Sequence, residues 1–442
     1  MFTSANPFVE AFERFQAGRA AEPEWLQRLR RQAFERFGEL GVPTLRQEDW
    51  KYTNPAPLAQ PDYDVAADPA AAGITPALAA ALGLADFTGL TLVFVDGVFA
   101  PALSKLRAAP PAGCVVTNLA AALRLQPDLV QTHLANHADH ERHVFASLNL
   151  AFAADGAFVY APAGSHIAEP VHALFIASGR KNVMSHPRNL VIADAGAALT
   201  FVEHYVSLDD AASIVNTVTG IAAGVNAGVQ HVQVQRQGAA ARFVETLHAT
   251  LLRDARLGSQ SVTLGAGLAR NDYAVVLDGE NAAVNLDGLY MAAGKQHVDY
   301  HTTITHARAH GTSRELFKGI VADRAVGVFN GRIVVPPASQ KTDSEQGIHS
   351  LLLSREATVN AKPELEIFAD DVKCAHGATV GQLDEQAVFY LRARGLDREA
   401  ARALLTHAFA NDILDRVPVE ALRAALHTLT AAWLPLNEER GA

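Results

Sequence analysis

Between about residues 89 and 378 the chain is written in short runs. Each is four to eight residues long, alternates apolar with polar positions, and is closed by Gly, Asn or Asp. Thr91–Val95, Ala157–Ala161, Val171–Ala177, Leu190–Ala193, Val229–Gln235, Ser261–Leu264, Tyr273–Leu277, Val298–Thr305 and Arg332–Val335 are examples. A period of two turns one face of an extended strand inward. Few of the gaps hold an amphipathic helix. A doubly wound α/β sheet needs a helical crossover of about a dozen residues between parallel strands, so it is excluded. A sandwich, a barrel or a parallel β-helix fits the spacing. The length of the stretch favours the solenoid, because stacked coils can be added without thickening the core. No strict repeat is visible.

The two ends read differently, which divides the chain into residues 1–88, 89–378 and 379–442. In the first zone Trp25, Leu26, Leu29, Phe34 and Phe37 recur at helical spacing, with Gly38 and Gly41 expected to close the helix. A proline-bearing loop follows and contains Glu48-Asp49-Trp50-Lys51-Tyr52-Thr53. A helical island is expected from Leu125 to His143. In the last zone Asp384 precedes a helix that ends at Gly395, Asp397 is placed as a helix N-cap and Pro418 as a helix start. Such terminal helices can cap a solenoid end or dock a partner.

The 442 residues are 49% hydrophobic and 19% charged, with a net charge of −10. That composition buries a large core and excludes wholesale disorder. The acidic balance argues against nucleic acid and against anionic membrane surfaces. Two cysteines, Cys114 and Cys374, make no disulfide framework. The start carries no export signal and no run is long enough to span a membrane, so a cytoplasmic protein is expected. There is no Gly-x-x-x-x-Gly-Lys-[Ser/Thr] loop, no Gly-x-Ser-x-Gly elbow and no His-Glu-x-x-His pair.

Three constellations carry metal or sulfur chemistry. His133, His137, His140 and His143 fall near one face of a helix, which is either ligand spacing or a solvated face. His297, Asp299 and His301 alternate along a strand and are either a metal set or an outward polar face. In Asp370-Asp371-Val372-Lys373-Cys374-Ala375-His376-Gly377-Ala378-Thr379, Cys374 and His376 point to one side. A thiol beside an imidazole suits a soft metal or sulfur transfer, and Lys373 can favour the thiolate; the alternative is an inert buried thiol.

Phe329-Asn330-Gly331-Arg332-Ile333-Val334-Val335, Ala338–Asp343, Leu351–Ser354, Asn360–Ile367, Asp370–Gly381 and Phe389–Gly395 follow one another in an order that resembles the SufB/SufD family of iron–sulfur cluster assembly proteins. Ser313–Gly319 and Trp50–Thr53 resemble it too. The Lys-Cys-x-His-Gly segment and the two cysteines look like the SufD branch rather than the SufB branch. A cluster usually takes about four thiolate-type ligands, so two distant cysteines suit a shared site and not a cluster held alone.

The resemblance implies a right-handed parallel β-helix flanked by N- and C-terminal helical regions. It implies a scaffold subunit without catalytic turnover, paired through the β-helix with a SufB-like paralogue. A SufC-like ABC ATPase would dock on the C-terminal region, residues 379–442, and drive exposure of the interface where a transient cluster forms. His376 matches the family's interface histidine, implicated in cluster formation or iron acquisition; Cys374 matches the neighbouring cysteine. Ala375 fills a variable slot. Cys114 and the four-histidine run match no motif of the family. A homodimer through the same edge is implied where the paralogue is absent. The competing expectations are a β-helix carbohydrate-active enzyme and a stand-alone metalloprotein using His297, Asp299 and His301.

Overall fold

The structure, a computed structural model, describes residues 7–59, 64–65, 73–83, 87, 89–106, 110–134, 143–180 and 182–433. The alternating runs form two long sheets, parallel throughout the stacked part. One sheet runs from Thr358–Ile367 back through Val326–Val335, His297–His306, Leu268–Leu277, Arg242–Leu251, Ser213–Ala223 and Arg188–Ala193 to Ala157–Ala161. The other runs from Lys373–Gly381 back through Asp343–Leu352, Thr312–Val321, Ala283–Ala292, Arg256–Thr263, Gly228–Arg236, Ala198–Ser207 and Val171–Ala177 to Leu90–Val95. Consecutive strands alternate between the sheets, so each coil lays one strand on each. The result is the expected mainly β architecture, a β-solenoid of about eight turns flanked by helices at both ends of the chain.

The inward positions explain why the coils stack in one register. Phe94 lies on Phe175 (ring centroids 4.7 Å), and Phe175 on Tyr205 (4.8 Å). Tyr300, Phe317 and Phe329 continue further along at 5.1 and 4.7 Å. One corner is equally regular. Gly196, Asn226, Asp254, Asn281, His310 and Lys341 all adopt positive φ, and each N–H bonds a carbonyl of the next coil. Asn and Asp tolerate that backbone region better than other side-chain-bearing residues, which is why they punctuate the runs. The interior also holds polar pairs. Glu203 receives bonds from Asn189, Tyr205 and Thr219 and sits 2.6 Å from His231, all fully buried. Satisfied in this way, such groups escape the cost of unpaired burial.

Helices cover the outer faces. Pro7–Ala17, Glu24–Leu40 and Val144–Phe152 bring Phe12, Phe37 and Phe152 onto Leu190, Ile192 and Ile214 of the first sheet. Gly38 does not close its helix. The helix runs on to Leu40 and ends at Gly41 (φ 66°), whose N–H bonds the Phe37 carbonyl. A mid-helix glycine costs only about 1 kcal/mol, and burial of Phe37 and Ala33 outweighs it. The helical island is not one helix either. Leu119–Leu125 ends at Gln126, Pro127 starts a second helix to Leu134, and Val144–Phe152 is a third. Pro127 has no N–H to continue the first helix.

The C-terminal helices do not cap the solenoid. Arg398–Leu414 and Glu420–Trp433 lie along the flank, burying Ala410, Ile413, Leu414, Leu422 and Leu426 against Val202, Val232, Val234, Val262, Leu289 and Ile320. These valines and leucines face outward from their strands and need that cover. Asp397 caps the first of these helices, accepting the Ala400 N–H at 2.7 Å. Asp397→Ala should cost about 1 kcal/mol. Amide exchange in the first turn, Arg398–Ala401, should quicken about fivefold; unchanged exchange would show that packing alone holds this end. Among the described residues no helix is long and apolar enough to cross a membrane.

Candidate functional site

The solenoid stops at Thr358–Ile367 and Lys373–Gly381, the last strands of their sheets. No further coil covers them among the described residues, so inward positions that are buried elsewhere are open here. Ser344, Gln346 and Ile348 are buried one coil back. Their register partners Cys374, His376 and Ala378 are half-buried, exposed and exposed. Alternation puts these three side chains on the inward face of the last strand. The helix starting at Glu385 turns the chain away. The end is left with an unpaired strand edge on each sheet, a template for another chain. Phe368, 62% exposed, and Val380 add apolar surface beside it.

The sequence expectation that Cys374 and His376 share a face therefore has a structural setting: the open mouth of the core. Polar columns lie beneath both. Under Cys374, the Ser313 hydroxyl donates to Ser344 Oγ (2.8 Å), and His306 Nε2 lies 3.0 Å from Ser313 Oγ. Under His376, Gln346 Nε2 donates to Glu315 Oε2 (2.5 Å). Lys373, the neighbouring strand position, points to the opposite face from the thiol. Burial raises the Cys374 pKa, a Ser344 backbone bond opposes this, and Asp343 adds to it. The group is a thiol until a metal or base takes its proton.

His297, Asp299 and His301 lie on the flank, on strand His297–His306. They are neither outward-facing into solvent nor free. The segment Glu48–Thr53 crosses over them as a strap. Thr53 Oγ1 donates to Asp299 Oδ2 and lies 2.8 Å from His297 Nε2. Arg270 Nη1 bonds Asp299 Oδ2 (2.7 Å) and the Asp49 carbonyl (2.8 Å), and its Nη2 bonds Asp272 (2.6 Å). Its guanidinium lies over the Trp50 ring at 4.5 Å. His301 Nε2 is 3.3 Å from the other Asp299 oxygen. Burial alone would raise the Asp299 carboxyl, but Arg270, His301 and Thr53 hold it well below the usual carboxylate range. Lys362 of the last coil ties Glu48 at 2.9 Å. The set thus works as a latch between the N-terminal segment and the solenoid. Among the described residues, no group of three or more His, Cys, Asp or Glu is arranged to hold a metal.

Of the four spaced histidines, His133 is on helix Pro127–Leu134 and His143 is the N-cap residue of Val144–Phe152. His137 and His140 lie outside the described residues. His143 lines a cleft under the strap with Trp50, Arg270, Asp272 and His301. Cys114 is buried in the main core. Sequence reasoning missed the Glu315–Gln346 pair and the partners of Arg270. For Glu315 and Gln346 the one sequence signal is a polar residue at an inward position of an alternating run; Arg270, Asp272 and Asp299 are on the outward face, where a charged residue is ordinary and signals nothing.

Two family models match the chain in succession. The model described as "SUF system FeS cluster assembly, SufBD core domain" matches residues 175–409, and "SufBD protein N-terminal region" matches residues 4–173. The chain is 35% identical over 416 residues to an iron–sulfur cluster assembly SufBD family protein of Synechocystis sp., covering 92% of this chain and 90% of that one. It is 31% identical over 438 residues to the iron–sulfur cluster assembly protein SufD of Escherichia coli, covering 98% of each. The SufD of Bacillus subtilis is 25% identical over 411 residues, covering 92% of this chain and 93% of the relative.

Proposed function

This chain belongs to the SufBD family of iron–sulfur cluster assembly proteins, and from that premise we propose that it is a non-catalytic scaffold subunit whose open solenoid end forms one half of the assembly site. The observation that carries the reading is the pair Cys374 and His376 at an uncovered strand edge. A SufB-like paralogue, itself a β-solenoid, is the partner that would pair with that edge. Strand addition satisfies the unpaired backbone groups and buries Phe368 and Val380 at once. The cluster is cargo: His376, and Cys374 beside it, offer one or two ligands, and the partner supplies the rest. The proposed setting is the cytoplasm, where two unpaired cysteines stay reduced.

A SufC-like ATPase is the proposed occupant of the C-terminal region, residues 379–442. On helix Glu385–Arg392, Phe389 and Tyr390 are 71% and 56% exposed, and Leu404 is exposed on the next helix. Aromatic side chains presented in this way are the usual anchors of an interface. Phe389→Ala with Tyr390→Ala should weaken ATPase capture by about 2 kcal/mol or more, roughly thirtyfold in Kd. Pairing with the SufB-like chain should be unaffected. Titration calorimetry against the ATPase checks this; an unchanged affinity would move the docking surface elsewhere.

A further inference from the structure

Gln346 is 1% exposed, and its two polar atoms face different fates. Nε2 donates to the Glu315 carboxyl at 2.5 Å. Oε1 is buried and accepts no hydrogen bond among the described residues. The carboxyl decides which way round the amide sits, because only the NH2 side can donate to it. The facing strand leaves room for this amide: a Cβ built on Gly331 would lie 2.3 Å from Gln346 Nε2. A buried carbonyl oxygen left without a donor forfeits its hydration with nothing in return, so the arrangement calls for a partner. The residue in register with Gln346 on the last strand is His376. Both side chains project from the inward face of neighbouring parallel strands, spaced about 4.8 Å. That is within reach of an imidazole N–H.

We infer that Gln346 is a positioning residue for His376: oriented by Glu315, its Oε1, unpaired in this structure, accepts one ring N–H of His376 when the imidazole turns inward, which leaves the other ring nitrogen directed outward, toward the partner and the cargo. The inference rests on the reading of His376 as a cluster-assembly residue. An imidazole that binds a metal through one nitrogen commonly donates its other N–H to a carbonyl or carboxylate, which sets tautomer and ring direction. Here the carbonyl is an amide fixed from below by a carboxyl one coil deeper. Burial pushes the Glu315 carboxyl up to about 7, with Gln346 and Thr302 pulling it down. Ionised, it can only accept, which fixes the Gln346 NH2 toward it; protonated, it can also donate to the flipped amide, so the orientation is firm above that value.

The test uses the full chain, histidine-labelled with 15N, free of metal and held at alkaline pH where the imidazoles are neutral. The His376 resonances are identified by their loss in His376→Gln. The parent should show one fixed His376 tautomer. Gln346→Met keeps the volume and removes the acceptor, so both ring-nitrogen shifts should move to the average of a free imidazole. Glu315→Gln frees the amide to flip and should do the same in part; it serves if Gln346→Met fails to fold. Identical ring shifts in the parent and both variants would overturn the inference. Cluster maturation in the assembled complex is the second readout, with about a tenfold loss expected for Gln346→Met. If His376→Ala abolishes maturation while Gln346→Met alters neither shifts nor maturation, the inference fails and the reading of His376 stands. If Gln346→Met releases the tautomer while His376→Ala matures clusters fully, the reading fails and the hydrogen bond stands.

Discussion

His376→Ala should lower cluster maturation at least about tenfold while leaving the chain folded and its complex intact. The magnitude is the least expected when a metal ligand, and not only its supporting partner, is removed. The side chain is exposed at the solenoid mouth, so truncation leaves no core cavity and lets water reach the Gln346 amide in its place; the melting temperature should move by no more than about 2 °C. The strand edge that would pair with the paralogue uses backbone groups, which the substitution does not touch. Maturation is followed anaerobically by the visible absorbance of the cluster in the reconstituted complex. Full maturation by the variant would remove His376 from the mechanism and leave Cys374 as the remaining candidate on that face.

Arg270→Met should be the most destabilising single change on the flank. The side chain is 2% exposed and neutralises two carboxyls, Asp272 and Asp299. Removing one partner of a buried pair costs about 3–5 kcal/mol, because the charges left behind are uncompensated. The strap loses its anchors with it, since Trp50 and the Asp49 carbonyl both rest on this guanidinium. A fall of about 5 °C or more in melting temperature is expected at neutral pH. The pH dependence reverses as well. In the parent, burial would raise both carboxyls, but Arg270 depresses them below the unfolded value of about 4. Their contribution is therefore complete above that value and is lost as pH falls through the folded values. Without Arg270 the largest opposing charge is gone and burial is set only against His301, His143 and Thr53, so the folded values rise and mild acidification should stabilise the variant relative to neutral pH. A melting temperature within about 2 °C of the parent would show that the latch is ornamental.

The fold was legible because alternation is a local signal. Val229, His231, Gln233 and Gln235 read as one face from their spacing alone, and all four are buried inside the coil. The repeat was not legible. Ladder partners are 26 residues apart from Arg242 to Leu268 but 32 apart from Val326 to Thr358, so no fixed period exists to detect. The corner residues Asn226, Asp254 and Asn281 mark it only once the coil is known. At the site, the shared face of Cys374 and His376 follows from the strand. Their openness does not, because it depends on where stacking stops. The latch joins Thr53 to Asp299 across 246 residues, which no local pattern can announce. Read along the strand, His297, Asp299 and His301 suggest ligands. In space, the first partners of Asp299 are Arg270 and Thr53, which come from distant segments.

The central claim is that the open end of this solenoid is half of an assembly site completed by another chain. Its most direct test is to co-express the chain with the SufB-like and SufC-like proteins of its own source, capture it anaerobically, and weigh the complex by native mass spectrometry. The account predicts an assembly of one SufB-like chain, one copy of this chain and two ATPases. Charge substitution at Phe368 and Val380 should break the pairing with the SufB-like chain and leave the ATPase bound. Recovery of this chain alone, or only as a pair with itself in the presence of the SufB-like partner, would contradict it.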